Sequence, residues 1–243
     1  MTARGIPARW GVAAAGSAVV IAALAAGVRM LPQPDPVLRV APDAVLVAAP
    51  RPPSPPAGSP VGQIAVSPDW VSRTALTTGV PWPAVRAYGV ATLRLARTDP
   101  GCHLSWTTLA GIGWVESQHG TIGGRRLLAD GRPSRPIAGP ALDGSGDLAA
   151  VGSSSGGWQR AIGPLQFLPS TWESWAADGD RDGATDPEDI DDAAYAAARY
   201  LCASGGDLAT GVGWSAAVFS YNHSSDYVRA VYAAAQVYAV RAS

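Results

Sequence analysis

The chain contains no lysine; all eighteen of its basic residues are arginine. Together with the richness in alanine, glycine and aspartate, this reads as a genome-wide composition bias, and it points to no function. Glutamate is scarce as well, with Glu116, Glu173 and Glu188 standing against sixteen aspartates. The three histidines, His103, His119 and His223, lack H-E-x-x-H spacing and form no His/Cys cluster, so nothing suggests zinc. No G-x-S-x-G elbow occurs on which a hydrolase triad could be built. A net charge of -1 argues against a general nucleic-acid binder. No internal repeat is present.

What is there falls into three parts. Residues 1–31 read as a signal peptide or signal anchor: Arg4 and Arg9 precede an uncharged Ala/Val-rich run from Trp10 to Val28. The run reaches the lower end of transmembrane length. Ala25-Ala26-Gly27 is a candidate cleavage site, and no cysteine lies near it to carry a lipid. The expectation is an exported chain in the cell envelope, held at the membrane if the segment stays. Residues 32–65 include ten prolines between 32 and 60, a composition for a stiff, disordered spacer. Residues 66–243 read as the folded domain.

That domain reads as mainly α. Ser67-Pro68-Asp69 opens a helix that Gly79 ends, and Pro83 opens a second that stops before Asp99-Pro100-Gly101. Ser105 offers the N-cap of a third. Residues 120–160, rich in Gly, Ser and Pro, read as a long irregular excursion with room for a small hairpin. Ser170-Thr171-Trp172-Glu173 is a capping box for a short helix. Further helices are expected over about 189–203, 214–222 and 226–241. In an exported chain Cys102 and Cys202 read as one disulfide, two buried free thiols being the alternative.

The third helix holds the residue of greatest interest. Leu109, Ile112 and Gly113 lie seven, four and three residues before Glu116, which puts the carboxylate on the apolar stripe. Gly120 reads as the helix stop, so Glu116 also lies near the negative end of the dipole. Burial and dipole both disfavour the charged form and raise its pKa. A carboxylic acid kept protonated near neutral pH suits a general acid. The bland alternative is a helix-end Glu that reaches solvent or pairs with an arginine.

Four segments occur in order: Val115-Glu116-Ser117; Gly163-Pro164-Leu165-Gln166-Phe167; the acidic stretch Asp178 to Asp189; and Phe219-Ser220-Tyr221-Asn222. In this order and spacing, residues 66–240 closely resemble the B-type lytic murein transglycosylases, enzymes of α+β lysozyme-like fold that cut peptidoglycan glycan strands. The resemblance makes Glu116 the single catalytic acid/base. It places Ser117, Gly163, Gln166, Tyr221 and Asn222 at the substrate: Ser117 bonding near the reacting sugar, Gly163 letting the chain pass close to it, Gln166 contacting its polar groups. Leu165 stands where the family usually has Met. The implied reaction protonates the bond between N-acetylmuramic acid and N-acetylglucosamine, then closes a 1,6-anhydro ring with the C6 hydroxyl, without consuming water. A hydrolytic muramidase and a non-catalytic wall-binding scaffold are the alternatives.

The acidic stretch has its own reading. D-x-D-x-D-G with Asp189 at loop position twelve fits a calcium loop. The side chains of Asp178, Asp180, Asp182 and Asp189 and the carbonyl of Ala184 would be the ligands, with Asp186 direct or through water. Gly183 makes the sharp turn. Relatives in the resembled family bind calcium in an equivalent loop, as a structural clamp. The alternative is a solvated acidic connector. No organic cofactor is expected.

Overall fold

The computed structural model describes residues 50–53, 58, 64–145, 150–154 and 156–243. The segment at 1–31 and most of the Pro-rich stretch lie outside the described residues. Among the described residues, no helix is long and apolar enough to cross a membrane. Pro50 and Pro52 lie on the domain: Trp106 Nε1 donates to Pro50 O at 3.0 Å, and Pro52 is buried. Ile64 and Val66 join the core, so the folded part starts slightly before the expected boundary at 66.

The described domain is mainly helical, as expected. Its helices are α1 (Pro68–Thr78), α2 (Trp82–Thr98), α3 (Trp106–Ser117), α4 (Pro169–Trp175), α5 (Ile190–Gly205), α6 (Gly211–Tyr221) and α7 (Ser225–Arg241). Local chemistry sets most of the ends. Ser67, Ser105, Asp189, Thr210 and Ser224 each accept a backbone N–H as N-caps, and Gly79 closes α1 in the left-handed conformation.

Three ends depart from expectation. α3 stops at Ser117 with Gln118 as the left-handed cap, before Gly120 is reached. α6 begins at Gly211, ahead of Trp214, because Thr210 caps it. The capping box at Ser170 does not form: Pro169 takes the first helical position, and Ser170 Oγ bonds Gln159 Oε1 at 3.1 Å instead. The excursion carries isolated antiparallel bridges, such as Ala138 with Ile162 and Gly152 with Trp158, rather than a regular hairpin.

α3 is the central helix. Ten of its twelve residues are buried, and only Trp114 and Val115 are partly exposed. A helix apolar on all sides has nowhere to go but the interior. It packs most extensively on α7, while α2 packs on α5 and α5 on α6. Ala193, Ala194, Ala196, Ala197 and Ala198 of α5 are all fully buried, so small side chains bring its neighbours close. Trp214 is buried with its indole N–H on Thr108 Oγ1 at 3.0 Å, which satisfies its polar atom. Cys102 and Cys202 are bonded, with a Cα–Cα distance of 5.4 Å, and tie the entry of α3 to α5.

Candidate active site

Glu116 lies in the last turn of α3 and is 8 % exposed. The Tyr227 hydroxyl, from the first turns of α7, donates to Glu116 Oε1 at 2.6 Å. Burial raises the carboxyl pKa to about 8, and the bond from Tyr227 opposes that rise in part. Among the described residues, no second carboxylate contributes to the shift. Glu116 is thus an acid held protonated at neutral pH by its surroundings.

The turn at 163–167 is attached to this helix by the residues singled out in the sequence. Ser117 Oγ donates to Pro164 O at 2.5 Å and accepts from Gly120 N at 2.7 Å. Tyr221 Oη donates to Leu165 O at 2.8 Å. The Tyr221 ring lies parallel to that of Tyr227, with centroids 6.5 Å apart and planes 4° apart. Asn222 is buried and caps the end of α6. Glu116, Ser117, Tyr221 and the 163–167 turn therefore form one connected group through Tyr227.

Three of the expected site residues also brace the protein itself. The Ser117 hydroxyl donates one bond and accepts one within the protein, so it anchors the turn. Gly163 has φ 79°, and a Cβ there would lie 1.8 Å from Pro187 O. Glycine is required there by the close approach of the protein's own backbone. Gln166, also left-handed at φ 51°, donates its side-chain amide to Gly163 O at 2.8 Å and braces the turn. Gln166 and Tyr221, with Phe167, Leu168, Thr171 and Tyr200, line a small apolar cleft.

Tyr227 escaped the sequence reading. Its signal was present: Tyr227, Val231 and Tyr238 recur at helical spacing on one face of α7, and a buried phenol needs a polar partner.

The acidic stretch makes a tight turn. Asp178 accepts from Arg181 N and Gly183 N, Asp180 from Asp182 N, and Asp182 from Ala184 N. Gly183 has φ 91°, as its turn role requires. Carboxylate oxygens of Asp178 and Asp180 come within 4.8 Å of one from Asp192. The expected ligand Asp189 is not in this group. It caps α5, accepting from Asp191 N at 2.9 Å, and its other oxygen faces Arg132 Nε at 3.7 Å. Spacing counted from Asp178 could not tell which carboxylate at the start of α5 turns back to the loop. Asp192 does so, accepting from Gly179 N at 2.6 Å. Burial chiefly, then neighbouring carboxylates, raise Asp192 to about 6 and Asp189 to about 7. Three hard carboxylates, two from the turn and one from the start of α5, fit a divalent ion of calcium's preferences. Asp186 pairs instead with Arg132, and Glu188 accepts from Ile137 N at 2.9 Å, so the stretch also holds the excursion.

Among curated proteins, none matches this chain. Three solved structures resemble it. One is the Escherichia coli lytic transglycosylase Slt35 in complex with bulgecin A, at 19% identity over 75% of this chain and 77% of that one, with a TM-score of 0.43. Another is the same Escherichia coli enzyme in complex with calcium, at 18% identity over 75% and 78%, TM-score 0.43. A third is a 36 kDa muramidase/transglycosylase, at 18% over 75% and 79%, also 0.43. Residues 145–218 match the family described as transglycosylase SLT domain. That segment holds the 163–167 turn, the acidic loop, α4, α5 and most of α6, and its turn is joined to the helix of Glu116 by the Ser117–Pro164 bond.

Proposed function

We propose that this chain is an exported lytic murein transglycosylase of the B type. It cuts the β-1,4 bond between N-acetylmuramic acid and N-acetylglucosamine in cell-wall remodelling and leaves 1,6-anhydro ends. One observation carries the reading: Glu116 is a buried acid with no carboxylate partner in its electrostatic surroundings among the described residues. Two-carboxylate glycosidases place a second Asp or Glu across the scissile bond. Here one group must serve both steps. Protonated Glu116 gives its proton to the glycosidic oxygen, and the bond to C1 breaks. The substrate's own acetamido oxygen stabilises the cationic C1. Glu116, now a carboxylate, takes the proton of the C6 hydroxyl as that oxygen closes on C1. The carboxyl ends protonated, and no water is consumed. Tyr227 stabilises the carboxylate in mid-cycle by donating to it. Purified peptidoglycan should release soluble glycan fragments with this protein. A protein that folds and binds peptidoglycan but releases nothing would be the scaffold alternative.

The export reading rests on the basic-apolar segment at 1–31 and the spacer at 32–65, which would let the domain reach the wall from the membrane. Calcium is the ion we assign to the acidic turn, held by Asp178, Asp180 and Asp192, with Asp182 and Ala184 on the same turn. Its role would be structural, neutralising carboxylates that otherwise repel. An ion bound only by the folded state stabilises it by mass action, about 2.7 kcal/mol at a hundredfold excess over Kd. Chelator should therefore lower the Tm, and calcium should restore it better than magnesium, which demands a tighter octahedral site. Asp192→Asn should remove that response, whereas Asp189→Asn should keep it. Identical melting curves with chelator and with excess calcium would leave the loop a plain acidic connector.

A further inference from the structure

The turn that follows Glu116 is anchored by a buried histidine. Gln118 and His119 are both left-handed, at φ 53° and 60°, a conformation that costs non-glycine residues energy. His119 is 2 % exposed. Its Nδ1 lies 3.1 Å from Tyr88 Oη on α2, and its Nε2 lies 2.8 Å from Tyr238 Oη on α7. Its amide donates to Gly113 O at 2.7 Å. Gly113 makes the room: a Cβ there would be 2.0 Å from Tyr88 Oη and 3.2 Å from His119 Nδ1. A neutral imidazole has one donor and one acceptor, so one phenol donates to it and the other accepts from it. Burial lowers the His119 pKa to about 3, and the neutral form therefore persists.

The partner helix explains what this anchoring does. Tyr227, Val231, Ala235 and Tyr238 share one face of α7. A Cβ on Gly111 would be 2.7 Å from Val231 O and 3.3 Å from Ala235 N, so α3 and α7 meet backbone to backbone there. Along α7, Tyr227 and Tyr238 flank that contact. One hydroxyl is on Glu116 and the other on His119. A crossing fixed at a single point can pivot, and ties on both sides of the point stop it. We propose that His119 is a positioning residue: with Tyr238 it stops α7 from turning about the Gly111–Val231 contact, and so keeps the Tyr227 hydroxyl on Glu116.

The inference rests on Glu116 being the acid of the proposed reaction, so its test needs a readout besides turnover. The chain has three glutamates, which makes carboxyl-labelled glutamate spectra simple to assign with Glu116→Gln as reference. The titratable groups facing Glu116 are Tyr221 of α6 and Tyr227 of α7; those facing His119 are Tyr88 of α2 and Tyr238 of α7. Weakening the Tyr227 bond removes an effect that lowers the Glu116 pKa. Tyr238→Phe should thus tighten proton binding at Glu116 at least about twofold. It should lower kcat about tenfold with KM within about twofold, and add nothing to Tyr227→Phe. Tyr88→Phe is the control: it removes the other phenol from the same ring at a similar cost in stability, but leaves the Glu116 titration unmoved. An unmoved titration in Tyr238→Phe, or kcat losses in both variants that merely follow Tm, would overturn the proposal. If the titration moves but even the wild-type protein releases no glycan, positioning stands and the catalytic reading falls.

Discussion

Glu116→Gln is expected to keep the fold and lower glycan release by about 10²- to 10⁴-fold, the range a general acid/base contributes. The amide matches the carboxyl in size and can still accept from Tyr227, so the hydrogen bond at 2.6 Å has a counterpart. What it lacks is an exchangeable acid proton. The same carboxyl also sets a pH limit. The reaction starts from the protonated form, so activity should fall as pH rises through about 8. The sign for stability runs the same way. Between the ordinary value of 4.5 and about 8, the native state holds a proton that the unfolded chain has lost. Stability therefore declines as pH rises through that window. Glu116→Gln has no such proton and should melt above the wild type in alkaline buffer. A variant that releases glycan at near-normal rate, or a wild-type rate indifferent to pH across that range, would remove Glu116 from the chemistry.

Breaking the Cys102–Cys202 bond should be the largest single loss of stability. The bond closes a loop of 100 residues, worth about 4 to 5 kcal/mol in the chain-entropy model. For a domain of this size that corresponds to a Tm lower by roughly 10 to 20 °C. Both cysteines are buried, so the substituted hydroxyls of a Cys102→Ser, Cys202→Ser protein would add a desolvation cost. The effect should reach the site, because Cys102 precedes α3 and Cys202 lies on α5, behind the acidic turn. Thiol labelling of the exported, non-reduced protein should find no free cysteine. Two labelled thiols in native protein with an unchanged Tm would contradict the assignment.

The starts of α1 and α3 were legible because one side chain decides each of them. Ser67 and Ser105 cap α1 and α3 as their local pattern indicates. The burial of Glu116 was legible too, although α3 is apolar on all sides and has no single stripe for spacing to select. The disulfide was expected from an even count of cysteines in a chain read as exported, and the two are bonded. Features decided by distant contacts were not legible. The end of α3 depends on His119 finding Tyr88 and Tyr238, which lie on other helices. The use of glycine at 163 depends on Pro187 O, which no local pattern reveals. At the acidic turn, a motif counted forward from Asp178 chose Asp189, but α5 begins there and spends that carboxylate on its own cap. The first turn of the helix presents Asp192 to the loop instead. The helices of the fold follow from local chemistry. The tightness of the site follows from tertiary contacts.

The most direct test is the mass of the fragments released from purified peptidoglycan. If Glu116 returns its proton demand to the substrate's own C6 hydroxyl, the muramyl ends are anhydro rings, one water lighter than reducing ends. The expected result is anhydro fragments from the wild-type protein, none from Glu116→Gln, and no incorporation of heavy oxygen from labelled water. Reducing ends that carry the labelled oxygen would show hydrolysis and contradict the account.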